Sequence, residues 1–130
     1  MKHVLVLDDN QVFRETTAEL LSLSGFHVCV ASNIKQFMDC LLHDEVNAIL
    51  MDLNMSGSGM NGKCLIDYIS SVPRWKNIPL IIITGYPEDV TEEFEKNPRI
   101  YAVLRKGSYH PNDLSKMLKN IDDRIPAMSS

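Results

Sequence analysis

Five short apolar runs punctuate the chain: Val4 to Leu7, Val28 to Ala31, Ala48 to Met51, Leu80 to Ile83 and Ile100 to Leu104. They are rich in Val, Ile and Leu and mostly do not alternate with polar residues. That is the pattern of strands buried on both faces, as in a parallel sheet covered by helices. Between the runs the apolar residues change period. Ile34, Phe37, Met38, Leu41 and Leu42 form one helix face, and Leu114, Met117, Leu118 and Ile121 repeat that spacing near the C-terminus. Phe13, Thr17, Leu20 and Leu21 mark a first helix that stops at Gly25, a natural C-cap residue. Leu65, Ile69 and Val72 mark a third, ended by Pro73. The stretch from Pro87 to Asn97 has only Val90 and Phe94 as large apolar residues and reads as a short, loosely held helix.

Strand followed by helix, repeated along the chain, predicts an α/β fold: a doubly wound parallel sheet with right-handed crossovers and helices on both faces. No linker or shift in composition divides the chain, so residues 1–124 are expected to form one domain and 125–130 a tail or the start of a linker. The first strand runs into Asp8 and Asp9 rather than the GxGxxG of a dinucleotide fold.

In an open sheet of this kind the ligand site lies beyond the carboxyl ends of the strands. The residues found there are Asp8 and Asp9 after the first run, Asp52 after the third, Thr84 and Gly85 after the fourth, and Lys106 after the fifth. Ser32 and Asn33, after the second, look like a helix cap. Taken singly, each has an ordinary explanation as a cap, a turn or a solvated lysine. Together they place three carboxylates, a hydroxyl and an ammonium at one edge of one sheet.

Clustered carboxylates repel one another and invite either raised pKa values or a bound cation. An all-oxygen acidic site suits Mg²⁺. His3, His27, His43 and His110 all lie away from the strand carboxyl ends, which argues against zinc. A carboxylate can attack phosphorus to form an aspartyl phosphate, and a metal, a lysine and a hydroxyl can stabilise the charge that spreads over the oxygens. The constellation reads as phosphoryl transfer to an aspartate.

Composition narrows the setting. With 130 residues, 45% of them hydrophobic and 23% charged, the chain falls in the range of a soluble globular domain rather than a disordered or membrane protein. A net charge of −4 argues against direct nucleic-acid binding. Cys29, Cys40 and Cys64 have no CxxC spacing and each sits in an apolar periodic stretch. They are expected to be small buried hydrophobes in a reducing compartment. Met1 and Lys2 lead directly into a strand-like run too short for a signal peptide, so the expected location is cytoplasmic.

Val4-Leu5-Val6-Leu7-Asp8-Asp9, Ile49-Leu50-Met51-Asp52-Leu53-Asn54-Met55, Ile81-Ile82-Ile83-Thr84-Gly85 and Leu104-Arg105-Lys106 match, in order and spacing, the signature of response regulator receiver domains. The resemblance covers about residues 2 to 122. It implies a flavodoxin-like sheet of order 2-1-3-4-5. It further implies a two-component signalling switch, not an enzyme acting on other substrates, in which Asp52 accepts a phosphoryl group from a sensor histidine kinase or phosphotransfer protein. Asp9, the Asp52 carboxylate and the Asn54 backbone carbonyl would ligate Mg²⁺, with Asp8 acting largely through water. Thr84 and Lys106 would contact the phosphoryl oxygens, and the small Gly85 would leave its N–H accessible to them. An output partner or output domain and a phosphorylation-dependent dimer are open on the partner side.

The chain departs from the family pattern at three places. Ser56 replaces a proline in the loop after the acceptor, and two extra residues lengthen that loop. The usual Lys-Pro pair becomes Lys106-Gly107, and the usual switch aromatic becomes Val103, with Tyr101 expected on the same sheet face by parity. Two other readings share parts of this pattern: a receiver fold used as a constitutive protein-interaction module, and an aspartate-nucleophile phosphohydrolase. The latter normally carries D-x-D after its first strand, where this chain has Asp8-Asp9-Asn10-Gln11.

Overall fold

The structure is a computed structural model, and the description covers residues 2–53, 62–85 and 99–124. In chain order the elements are β1 (His3–Leu7), α1 (Gln11–Leu23), β2 (His27–Ala31), α2 (Ile34–His43), β3 (Ala48–Asp52), α3 (Gly62–Ser70), β4 (Leu80–Thr84), β5 (Ile100–Arg105) and α4 (Pro111–Arg124). The expected helix over Pro87 to Asn97, the loop from Asn54 to Asn61 and the 125–130 tail lie outside the described residues.

All described strand pairs are parallel, in the order β2-β1-β3-β4-β5. Alternate strand residues feed two cores. Leu5, Leu7, Ile49, Met51, Leu80 and Ile82 meet Phe37 and Leu41 of α2 and Leu65, Ile66 and Ile69 of α3. On the other face Val4, Val6, Leu50, Ile81 and Ile83 meet Leu21 of α1 and Leu114, Leu118 and Ile121 of α4. β3 and β4 are buried throughout, as unbroken apolar runs require. β2 is an edge strand and only partly covered; Val30 stands 43% exposed.

The helix ends follow their caps. Asn10 accepts the Phe13 N–H at 2.9 Å and starts α1, and Asn33 does the same for Gln36 at 2.9 Å to start α2. Gly25 follows α1 at φ +96°, the left-handed conformation in which glycine is favoured. Three packing expectations change. On α2, Leu42 is exposed, because the stripe facing the sheet runs Phe37, Cys40 and Leu41. Leu20 of α1 is likewise partly exposed beside buried Leu21. Tyr101 does not share the face of Val103. β5 pairs Ile100 with Leu80 and then Ala102 with Ile81, so Tyr101 is an extra residue in a bulge. The bulge breaks the alternation, and Val103 packs against the α2/α3 core while Tyr101 packs against the α1/α4 core.

Cys40 is buried as expected, but in pairing and in the place of Cys64 the cysteines differ from expectation. Cys29 and Cys40 form a disulfide between β2 and α2, with Cα atoms 6.6 Å apart. Cys64 is exposed on α3 rather than buried. A sequence shows only that each cysteine lies in an apolar stretch. The pairing depends on β2 register and on which stripe of α2 faces the sheet.

Candidate functional site

Asp8 and Asp52 end β1 and β3 at one level, and Lys106, two residues beyond that level on β5, reaches back to both with its long side chain. Leu7 is in register with Met51, and Asp52 with Ile83. The Lys106 N–H donates to the Thr84 carbonyl at 2.8 Å, carrying the β4–β5 pairing one residue past the strand. Counting alternation from the core, Asp8, Asp52 and Lys106 continue the phase of the residues that face α1 and α4.

Asp8 and Asp52 are 2% and 5% exposed, a degree of burial that carboxylates adopt only with partners. The Lys106 ammonium supplies one: its Nζ lies 3.0 Å from Asp8 Oδ2 and 3.3 Å from Asp52 Oδ2. Burial alone lowers the lysine pKa, but the hydrogen bonds and charges of Asp8 and Asp52 outweigh it and the net shift is upward. The same ammonium stands 4.5 Å from the centre of the Phe13 ring, an aromatic face that favours the cation. Gly107 then turns the chain at φ +81°, a conformation closed to the proline more usual after this lysine.

Asp9 is exposed, yet one of its carboxylate oxygens lies within 4.8 Å of oxygens from both Asp8 and Asp52. The Asp pair is not spent on capping α1, since Asn10 does that. Asp8 Oδ1 instead accepts the Asn10 N–H at 2.8 Å, fixing its own side chain. Three converging carboxylates, two of them on one ammonium, leave an excess of negative charge and an all-oxygen set of possible metal ligands. That donor set fits a hard dication such as Mg²⁺. Thr84 ends β4 fully buried, next to Gly85, where an added methyl group would meet nothing within 4 Å. Asn54, the remaining expected ligand, lies outside the described residues.

Besides Phe13, two neighbours of the pocket carry no mark in the sequence reading. Arg14 Nη1 donates to the Asp8 carbonyl at 2.9 Å, adding a second cation at the rim. The clue was present: a basic residue in the early turns of α1 opposes the helix dipole unless an acceptor waits there. Tyr109, half-buried beyond Lys106, has its phenol pKa pushed up to about 12, by burial first and then by the charge of Asp8. The histidines stand elsewhere, as expected: His3 and His27 meet at the opposite end of the sheet, ring centres 4.4 Å apart.

The comparisons agree with this geometry. The profile of the response regulator receiver domain matches residues 4–119. A putative NtrX-like response regulator of Rickettsia bellii is 34% identical over 83 residues, 64% of this chain and 17% of that protein. The regulatory protein VirG of Agrobacterium fabrum is 32% identical over 85 residues, 65% of this chain and 32% of that protein. This chain therefore aligns with about a third or less of these relatives' own length. Among solved structures, a Clostridium thermocellum receiver domain superposes with a TM-score of 0.82 at 20% identity, covering 98% of this chain and 99% of that one. The chemotaxis response regulator CheY4 of Vibrio cholerae superposes at 0.77 with 22% identity, covering 93% and 98%. A match spanning both faces of the sheet and every strand end of the pocket places this chain in the response regulator receiver domain family.

Proposed function

We propose that this receiver domain is a phosphorylation-controlled switch whose phosphoacceptor is Asp52. The observation that carries the reading is the buried Asp52 carboxylate, held 3.3 Å from Lys106 Nζ and ringed by Asp8 and Asp9. In the reaction an Asp52 oxygen attacks phosphorus, the P–N bond of a partner's phosphohistidine breaks, and the imidazole leaves with the electron pair. Lys106 stands where it balances charge on the new phosphoryl oxygens, and Thr84 offers a hydroxyl at the end of the neighbouring strand. Asp8, Asp9, Asp52 and the Asn54 carbonyl would hold Mg²⁺, which when bound neutralises phosphoryl oxygens. The donor is a sensor histidine kinase or phosphotransfer protein, and the product acts by a changed surface on an output partner or domain. We place this activity in residues 1–124 and in the cytoplasm, with 125–130 as tail or linker. Among the described residues, no helix is long and apolar enough to cross a membrane.

Incubation with acetyl phosphate followed by intact mass measurement tests the assignment. One added phosphoryl group is expected with Mg²⁺ and none with chelator or in Asp52→Asn. Equal labelling of that variant would reject Asp52 as the acceptor.

A further inference from the structure

The cysteine pair lies outside the acidic pocket and is not used by the phosphoryl chemistry. Cys29 sits in the middle of β2, in register with Leu5, whose side chain belongs to the α2/α3 core. Cys40 is on the stripe of α2 that faces that core, 8% exposed between Phe37 and Leu41. The fold itself therefore brings the two thiols together at a Cα separation of 6.6 Å, within the span a disulfide bridges. β2 is an edge strand, and Cys29 on it is only partly buried against the core, so the pair lies at the margin of the core rather than deep within it. In a reducing compartment a bridge so placed is not a permanent staple, because disulfides there are transient, catalytic or sensing.

We propose that Cys29 and Cys40 form a reversible dithiol–disulfide site that exchanges two electrons with small or protein dithiols and so ties or releases the edge strand β2 and α2. This rests on the cytoplasmic reading for its reducing partner but not on phosphorylation of Asp52. In the reductive direction a thiolate of the dithiol attacks the Cys29 sulfur, and the Cys29–Cys40 bond breaks. Cys40 leaves as thiolate and takes up a proton. The second thiol of the reductant then attacks the mixed disulfide, freeing Cys29, which is protonated, and closing the reductant's own disulfide. Two electrons and two protons pass from the dithiol to the pair.

The full chain is equilibrated in mixtures of reduced and oxidised dithiothreitol, with chelator present. The chelator is needed because the two thiolates, once formed, lie with the Asp44 carboxylate in a group able to hold a thiophilic cation. Samples are quenched by alkylation and read by intact mass, with circular dichroism recorded in parallel. The alkylated species should pass from one label, on Cys64, to three as the mixture becomes reducing, with the native spectrum retained. Cys40→Ser should carry two labels in every mixture. Three labels at the oxidising limit would overturn the proposal by showing that no bond forms. A single label persisting until denaturant is added would overturn it too, by showing a fixed structural bridge. Both readouts are blind to Asp52, so failure here leaves the acetyl phosphate result standing on its own.

Discussion

Tyr109 shows how the pocket's charge reaches a neighbour that takes no part in the chemistry. Its phenol is raised to about 12 by burial and by Asp8, against an ordinary tyrosine value near 10. A raised pKa favours the protonated form in the folded state. The contribution is therefore fully present below about pH 10 and is lost as pH climbs through about 12. In chelator, the phenolate absorbance should contain a late component near pH 12 that vanishes in Tyr109→Phe and moves to lower pH in Asp8→Asn. Two glycines of the same rim should respond oppositely to a methyl group. Gly107 has φ +81°, so Gly107→Ala should cost about 1–2 kcal/mol from left-handed strain, measured by denaturant unfolding. At Gly85 an added Cβ meets open space and the backbone is not left-handed, so Gly85→Ala should raise stability by about 0.4–1 kcal/mol through the lower entropy of the unfolded chain.

At the scale of elements, the apolar runs made β1, β3 and β4 legible because strands buried on both faces leave no polar interruption. The caps at Asn10 and Asn33 and the stop at Gly25 are local signals, and they mark the helix boundaries. What stayed illegible depends on neighbours. The exposure of Leu42 follows from how α2 rests on the sheet, and the Cys29–Cys40 bridge follows from the same placement. The bulge at Tyr101 has no local marker, since Ile100-Tyr101-Ala102-Val103 reads as a uniform strand. In the acidic pocket Asp8, Asp52 and Lys106 were readable from position alone, because each follows the carboxyl end of a strand in one parallel sheet. Arg14 and Phe13 were not, because α1 carries them in from above the sheet. The bridge yields its own test. It spans a sequence separation of 11, and closing a loop of that size stabilises by about 3 kcal/mol. Cys29→Ser should lower the unfolding free energy by about that amount under oxidising conditions. Under reducing conditions the variant and the parent should nearly coincide.

Over the whole molecule, the acidic pocket sets a conflict between folding and charge that a cation resolves. Bringing Asp8, Asp9 and Asp52 within 4.8 Å of one another concentrates repulsion that the unfolded chain does not carry. Any dication bound only by the folded chain stabilises it by mass action, by about 2.7 kcal/mol at a hundredfold excess over its dissociation constant. Scanning calorimetry should show the melting temperature rising with Mg²⁺. Asp9→Asn should remove most of that rise, since Asp9 is the solvent-exposed carboxylate of the cluster and the one a hydrated cation reaches first. An unchanged response in the variant would reduce Asp9 to a bystander. A second long-range tie joins the ends of the fold: buried Lys2 donates from Nζ to the Leu118 carbonyl of α4 at 2.8 Å.

The bulge in β5 makes one stretch of the chain tolerant of changes in length. Above it the pairing runs unbroken from Ile82 with Val103 to Thr84 with Arg105, and the site lysine follows directly. Below it Ile100 is paired with Leu80, so Tyr101 is slack held between two fixed points. Deleting that one residue would let Ile100 and Ala102 become successive partners of Leu80 and Ile81 without moving Lys106 along the sheet. Deleting Tyr101 and Val103 together would exceed the slack and pull the lysine down by a residue, reversing its face. The Tyr101 deletion should therefore lose stability through its missing ring yet keep Mg²⁺-dependent labelling by acetyl phosphate, and the double deletion should lose both. One residue lost from this strand would be silent at the pocket, while a second would not.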